Sequence, residues 1–387
     1  MRDYIDIPSK PKILNKLILI GNGFDLSLGL KTGYEDFLYW YFNTFIQTSL
    51  DNQSESKISG KFIKYYYHSD NQFEIYRRLA RKLSIQEKEI IKFEMFNYKS
   101  CKDFFLDNKY DFVFNFNSHL LKTIFYKSIN GWVDIEQTYF ELLKKSLKDD
   151  SIDVNILNDE LKELRSLLHT YLSQLDYSKT LDLNIALKHN NHFAKDISLE
   201  DIPAYFYDWD KIKTGHIMFL NFNYTESLSS IISSLPSLFI SDKKKYEISH
   251  LQIHGSLKED SESIIFGYGD EMDKDYKNIE ELNDNKYFEN IKSFKYLQNN
   301  SYSEILKYID SEEYQIVIYG HSCGLSDRVL LNEIFEHKNC KSIKIYYYEK
   351  SEFINKTMDI SRHFNSNQLM RKKIVAYSDD DLIPQSI

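Results

Sequence analysis

Residues Lys16 to Asp25 read Lys-Leu-Ile-Leu-Ile-Gly-Asn-Gly-Phe-Asp. A compact apolar run that ends in glycine is how a strand buried on both faces of a parallel sheet reaches its turn, so Lys16 to Gly23 is expected to be the first strand. Downstream, Ser27 to Phe45 carries Tyr34, Phe37, Leu38, Tyr41 and Phe45 at spacings that suit one face of a helix packed on a sheet. The opening unit is therefore expected to be strand, glycine loop, helix.

Working outward, short apolar strands recur at His216 to Asn223, Ile248 to Gly255, Ser263 to Gly267, Tyr314 to Gly320, Ile343 to Tyr348 and Lys373 to Tyr377. Several are separated by stretches long enough for helices, as alternating α/β architecture requires. Between Ile46 and Asp208 the pattern changes to charged stretches with helical spacing, as at Phe73 to Phe96, Ile135 to Leu147 and Leu157 to Leu175. The expected fold is α/β: a Rossmann-like parallel sheet with a large helical insertion after the first β-α unit. Residues 1–45 and 209–387 would form the nucleotide-binding domain and residues 46–208 the helical insertion.

The composition fits a globular chain. Of 387 residues 42% are hydrophobic and 15% aromatic, enough to bury a sizeable core and to set disorder aside. The 58 acidic residues outnumber the 49 basic ones, giving a net charge of -9, so the chain as a whole repels polyanions. Local nucleic-acid contact stays open, with Arg77 to Lys82 the one basic stretch of interest and a solvated helix face its plainer explanation. Cys101, Cys323 and Cys340 form neither a C-x-x-C pair nor an even set, which argues against a disulfide framework and a zinc ribbon. The N-terminus lacks the apolar core of a secretory signal and no apolar run is long enough to cross a bilayer, so a cytoplasmic protein with no membrane partner is expected.

In open α/β sheets ligands bind beyond the carboxyl ends of the strands, where loops converge and helix N-termini offer free N–H groups. Four clusters follow strands: Gly21-Asn22-Gly23-Phe24-Asp25, Asn221 to Thr225, His254-Gly255-Ser256, and Gly320-His321-Ser322-Cys323-Gly324 with Asp327. Gly21 and Gly23 would let a backbone approach a phosphate, although Leu26 stands where the full G-x-G-x-x-G motif has its last glycine. Asp25 reads equally as a cap for the following helix. Asn223 offers an amide to a ribose hydroxyl or a water, or serves an Asx turn. His254 is the general-base candidate. Gly320 to Gly324 also spells G-x-S-x-G, the nucleophile elbow of serine hydrolases, for which Asp359 and His363 are the only late acid and histidine of interest.

The stretch Leu17 to Leu38 closely resembles the signature of the AbiH abortive-infection family, an apolar strand running into Gly-Asn-Gly-Phe-Asp, then Gly-Leu, Thr, Tyr and Asp-Phe. Trp132-Val133-Asp134-Ile135-Glu136 resembles that family's Trp-x-Asp-x-Glu element, and Asn221 to Thr225, His254-Gly255 and Gly320 to Asp327 follow in the family's order. The family is similar, more distantly, to sirtuin-like NAD-binding domains. That resemblance implies NAD as ligand or substrate, with Gly21, Asn22, Gly23 and Phe24 at the pyrophosphate loop and Asn223 and His254 at the nicotinamide ribose. Gly320, His321, Ser322 and Asp327 would then serve the adenosine side. Asn22 and Asp25 depart from the small and serine positions of the sirtuin loop.

The implied activity is an antiphage effector hydrolysing NAD at the nicotinamide-ribose bond, with Asn223, His254 and Asp25 as catalytic residues. Asp134 and Glu136 would add negative charge or simply belong to a helix. The alternatives are a non-catalytic nucleotide-binding sensor and the serine hydrolase. A phage-derived trigger and a homo-oligomer belong to the same expectation, and no metal is expected.

Overall fold

The structure is a computed structural model that describes residues 11–51, 57–59, 62–67, 112–129, 134–177, 182–203, 209, 211–234, 240–241 and 244–386. It divides into two compact units. One comprises Met1–Leu30, Leu175–Lys277 and Asn290–Ile387; the other comprises Lys31–Gln174 and Asn278–Glu289.

The first unit is built on a parallel sheet of five strands, β1 (Lys12–Ile20), β5 (Ile212–Asn221), β6 (Ile248–Gln252), β7 (Tyr314–Tyr319) and β8 (Cys340–Tyr346). Their spatial order is β8-β7-β1-β5-β6, with every pairing parallel. In chain order within the sheet this is 3-2-1-4-5 read from the β6 edge, the doubly wound Rossmann arrangement, whose switch point lies between β1 and β7. The fold class is thus α/β and Rossmann-like.

Alternation along β1 explains why both faces are covered. Leu17 and Leu19 join a core with Ile316, Ile318, Ile343 and Ile345, roofed by α8 (Ser301–Ser311) and α9 (Arg328–Glu336). Ile18 and Ile20 point the other way, into a core with Phe219 and Tyr319 under α1 (Asn22–Ser27), α6 (Leu183–Ala194) and α7 (Ser227–Ser234). The helices α10 (Glu352–Ser361) and α11 (Asn367–Lys373) follow β8.

The helix expected over Ser27 to Phe45 is two helices. α1 begins at Asn22, so the Asn22 to Asp25 segment is helical rather than a free loop, and it stops at Ser27. Leu30 N–H returns to the Asp25 carbonyl and Gly29 N–H to Leu26, with Gly29 at φ +81°, the Schellman ending that a left-handed glycine allows. The next helix, α2 (Tyr34–Asp51), belongs to the second unit. Asp25 therefore sits inside α1; its N-cap is Gly21, which has no side-chain cap.

Two expected strands are absent. Ser263 to Gly267 is a turn whose Ile265 N–H donates to the His254 carbonyl, and Lys373 to Tyr377 touches β8 through the single bridge Ile343–Ile374. The division also falls elsewhere than at 45 and 209. α6 lies with the sheet because Ile185, Ala186 and Phe193 pack into its second core.

The second unit is not wholly helical. It contains an antiparallel sheet of β2 (Lys57–Ser59), β3 (Ile63–Tyr67) and β4 (Phe112–Phe116) beside α3 (His119–Ile129), α4 (Ile135–Ser146) and α5 (Val154–Ser173). Asp134 and Asp153 accept from backbone N–H groups at the starts of α4 and α5, the ordinary work of an N-cap aspartate. Phe73 to Phe96, Arg77 to Lys82 and Trp132 lie outside the described residues. Among the described residues no helix is long and apolar enough to cross a membrane.

Candidate functional site

Because β1, β5, β6 and β7 run in register, their carboxyl ends deliver four loops to one edge of the sheet. Asn221 to Thr225 lies at the centre of them. Its Asn223 side-chain amide donates to the Gly21 carbonyl at 3.1 Å, and Thr225 Oγ1 donates to Asp25 Oδ2 at 2.7 Å. On its other side the Phe222 ring lies 4.0 Å from the His321 ring and 5.3 Å from that of His254.

The first cluster surrounds Asp25, which is 1% exposed. Its two oxygens accept from Thr225 and from the Ser227 hydroxyl, and Asn223 adds a third contact. Among the described residues no ammonium or guanidinium reaches it. Burial lifts its pKa to about 6, with the hydroxyl and amide donors pulling the other way. Such a carboxyl is ionised at neutral pH and takes a proton just below it. The phenol of Tyr177 is raised by its own burial and by the Asp25 charge.

The second cluster is centred on Asp327. Lys292 Nζ lies 2.8 Å from its Oδ1, His254 Nε2 lies 3.2 Å from the same oxygen, and His321 Nε2 lies 3.6 Å from Oδ2. Burial alone would raise this carboxyl, yet the Lys292 charge and the histidine contacts hold it well below the usual range. Burial and the nearby Lys292 ammonium push His254 down to about 4, against the pull of Asp327. His254 is therefore a neutral imidazole bonded to a carboxylate rather than half of an ion pair. The Tyr296 hydroxyl lies 3.1 Å from its Nε2, and the two rings stack at 8°. His321 is neutral as well: its Nδ1 accepts the Cys323 N–H at 3.0 Å, which leaves the proton on the Nε2 that faces Asp327.

The glycines serve a close approach. A Cβ on Gly21 would stand 2.4 Å from His321 Cα, and one on Gly320 would stand 2.3 Å from Phe24 N. Gly23 N–H donates to the Gly320 carbonyl at 2.8 Å, so the loops after β1 and β7 lie directly on each other at the switch point. Phe24 is fully buried among His189, Phe193 and Tyr319, a packing position. Asn22 and Ser322 are exposed, while Gly23 and Gly320 are half-buried at the same rim.

Of the residues singled out from sequence, Gly21, Asp25, Asn223, His254, Gly320, His321 and Asp327 thus meet at one sheet edge. Lys292, Tyr296 and Ser227 complete the clusters and carry no motif; only Ser227, two residues beyond Thr225, lies close enough to a singled-out stretch to be noticed. Asp134 caps α4 in the other unit.

The serine-hydrolase geometry is not assembled. His363 Nε2 lies 2.8 Å from the Cys323 carbonyl and Asp359 pairs with Arg362, and among the described residues neither a histidine nor a carboxylate reaches the Ser322 hydroxyl. The left-handed backbone of this loop falls on Gly320 and Cys323, not on Ser322.

A family model described as bacteriophage abortive infection AbiH matches residues 17–349. No curated protein matches the chain. The match runs from within β1 to just past β8 and takes in every strand-end loop described above, so the chain belongs to the bacteriophage abortive infection AbiH family.

Proposed function

We propose that this AbiH chain is an effector of abortive infection that binds NAD across the rim of its sheet and hydrolyses the bond between nicotinamide and ribose. The abortive-infection role follows from family membership; the chemistry is our reading of the site. The observation that carries it is that Asn223 holds both the Gly21 loop and Asp25, while its neighbour Phe222 packs on His254 and His321. One strand end thereby joins an acid that titrates near neutrality to a neutral imidazole oriented by a carboxylate.

Positive charge develops on the ribose as nicotinamide departs, and a carboxylate in a water-poor site stabilises it better than bulk water does. Asp25, ionised above about pH 6, supplies that charge. Water attacks the anomeric carbon while His254, neutral above about pH 4, takes its proton; the products are nicotinamide and ADP-ribose. Asn223 positions the ribose, and the rim at exposed Asn22 and Ser322, beside half-buried Gly23 and Gly320, takes the phosphates and adenosine.

The test is to incubate the purified chain with NAD, alone and with extract from phage-infected cells, and to quantify nicotinamide and ADP-ribose by mass spectrometry. Release that falls at least about 100-fold in His254→Ala and Asp25→Asn supports the reading. No release in either condition, with no nucleotide co-purifying, sinks it.

One observation favours a second reading. Asp25 and His254 are 1% and 4% exposed, and the Gly21 and Gly320 loops are closed on each other. A non-catalytic sensor, in which nucleotide occupancy parts those loops, uses that closure directly. In that case His254→Ala releases no less product, there being none, and keeps its protection against phage.

A further inference from the structure

A second candidate site lies in the other unit and uses none of the residues assigned above. Between α3, α4 and the turn at Asp149 to Ile152 is a cavity of about 420 Å³, open to solvent. Clefts of about 300–1,000 Å³ with an apolar floor and a few converging polar groups are the usual form of a small-molecule site. Here Leu142 and Ile152, 7% and 6% exposed, make the floor.

The walls are cationic. Lys122, Lys127 and Lys145 line the cavity against one carboxylate, Asp149, in a chain whose net charge is -9. Lys145 lies 3.4 Å from Asp149, and Lys127 pairs with Glu141, both pairs being largely exposed. Exposed pairs contribute little and exchange readily for a better anion. The Lys122 ammonium meets no acid among the described residues. Tyr126, 49% exposed, packs against Phe125 and Phe116 at ring distances of 5.7 and 6.4 Å and leaves the rest of its ring at the cavity.

Ammonium groups beside a half-exposed aromatic ring over an apolar floor suit a ligand with a phosphate at one end and a flat ring at the other. We propose that this cavity binds a phosphorylated small molecule of the mononucleotide class, its phosphate held by Lys122 with Lys145 and its base stacked on Tyr126. The proposal is independent of NAD cleavage at the sheet.

The experiment is calorimetric titration of the purified full chain with AMP and, separately, with inorganic phosphate. AMP is expected to bind saturably and at least about fivefold more tightly than phosphate, the equivalent of about 1 kcal/mol of stacking. Tyr126→Ala should erase that preference. Lys122→Glu and the milder Lys122→Gln should weaken both ligands by about tenfold or more, with unchanged thermal unfolding, while Asp25→Asn retains the binding. The idea is overturned if AMP does not saturate, if AMP and phosphate bind equally, or if the Lys122 variants bind as the wild type does. It is overturned equally if a short RNA binds and AMP fails to compete with it, since the groove would then belong to a polymer.

Discussion

Lys292 and Asp327 form a closed pair, Nζ to Oδ1 at 2.8 Å, with the two side chains 1% and 9% exposed. Removing one partner of such a pair strands the other's charge in the interior, at a cost of about 3–5 kcal/mol. Lys292→Met should therefore lose that much stability in urea unfolding. His254 should also titrate at higher pH, since Lys292 opposes its protonation and Asp327 favours it. Histidine ring resonances followed by NMR would record the shift, and an unmoved His254 would mean that Lys292 does not act on it.

The two clusters should give opposite pH slopes. Asp25 is raised from 3.8 to about 6, so the folded state holds its proton longer than the unfolded one, and stability is lost as pH rises from about 4 to 6. His254 is lowered from 6.5 to about 4, so its contribution is complete above about 6.5 and is lost as pH falls towards 4. Each effect is worth about 3 kcal/mol. In denaturation midpoints from pH 4 to 7, Asp25→Asn should remove its share of the loss on raising the pH, and His254→Gln should shrink the loss on acidification without abolishing it, because burial also holds His189, His192 and His363 low.

Contact between the loops after β1 and β7 leaves no room for a side chain. Gly320→Ala would push a Cβ against Phe24 N while holding alanine at φ +72°, and should cost about 2–3 kcal/mol. Gly33→Ala, whose Cβ would meet the movable Asp36 carboxylate at 3.2 Å and Glu35 N at an ordinary 4.0 Å, should stay within about 0.5 kcal/mol of the wild type. Thermal melts of the two variants side by side check the contrast.

Ser322 should be inert to a serine-reactive fluorophosphonate, and Ser322→Ala should protect cells against phage as well as the wild type. Both follow from the engagement of His363 with the Cys323 carbonyl. Stoichiometric labelling of Ser322 would restore the hydrolase.

Much of the sheet is legible in sequence because a strand buried on both faces is an uninterrupted apolar run, as Leu17 to Ile20 and Ile316 to Tyr319 are. The coming together of Gly21, Asn223, His254 and Gly320 is legible for a related reason: each follows such a run, and parallel strands carry their ends to one edge. Lys292 is not legible, since its stretch has no motif and its role exists only once Asp327 is folded against it. The break between α1 and α2 is hidden by Tyr34, Phe37 and Leu38, which keep helical spacing but belong to a different unit. Within Ser263 to Gly267, Ile264 to Phe266 is apolar because it is buried, not because it is a strand, and short apolar runs do not distinguish the two.

β1 lies in the middle of the sheet, yet its neighbour β5 begins only at Ile212. During synthesis the first strand emerges and must wait for about two hundred further residues, roughly 10–40 s at ordinary translation rates. For that interval its aliphatic side chains and unpaired amides have no permanent home. Yield in the host should accordingly depend on holding chaperones more than on the final stability of the product, and mutations that slow the intervening unit's own folding should lower abundance without touching either cluster at the sheet edge.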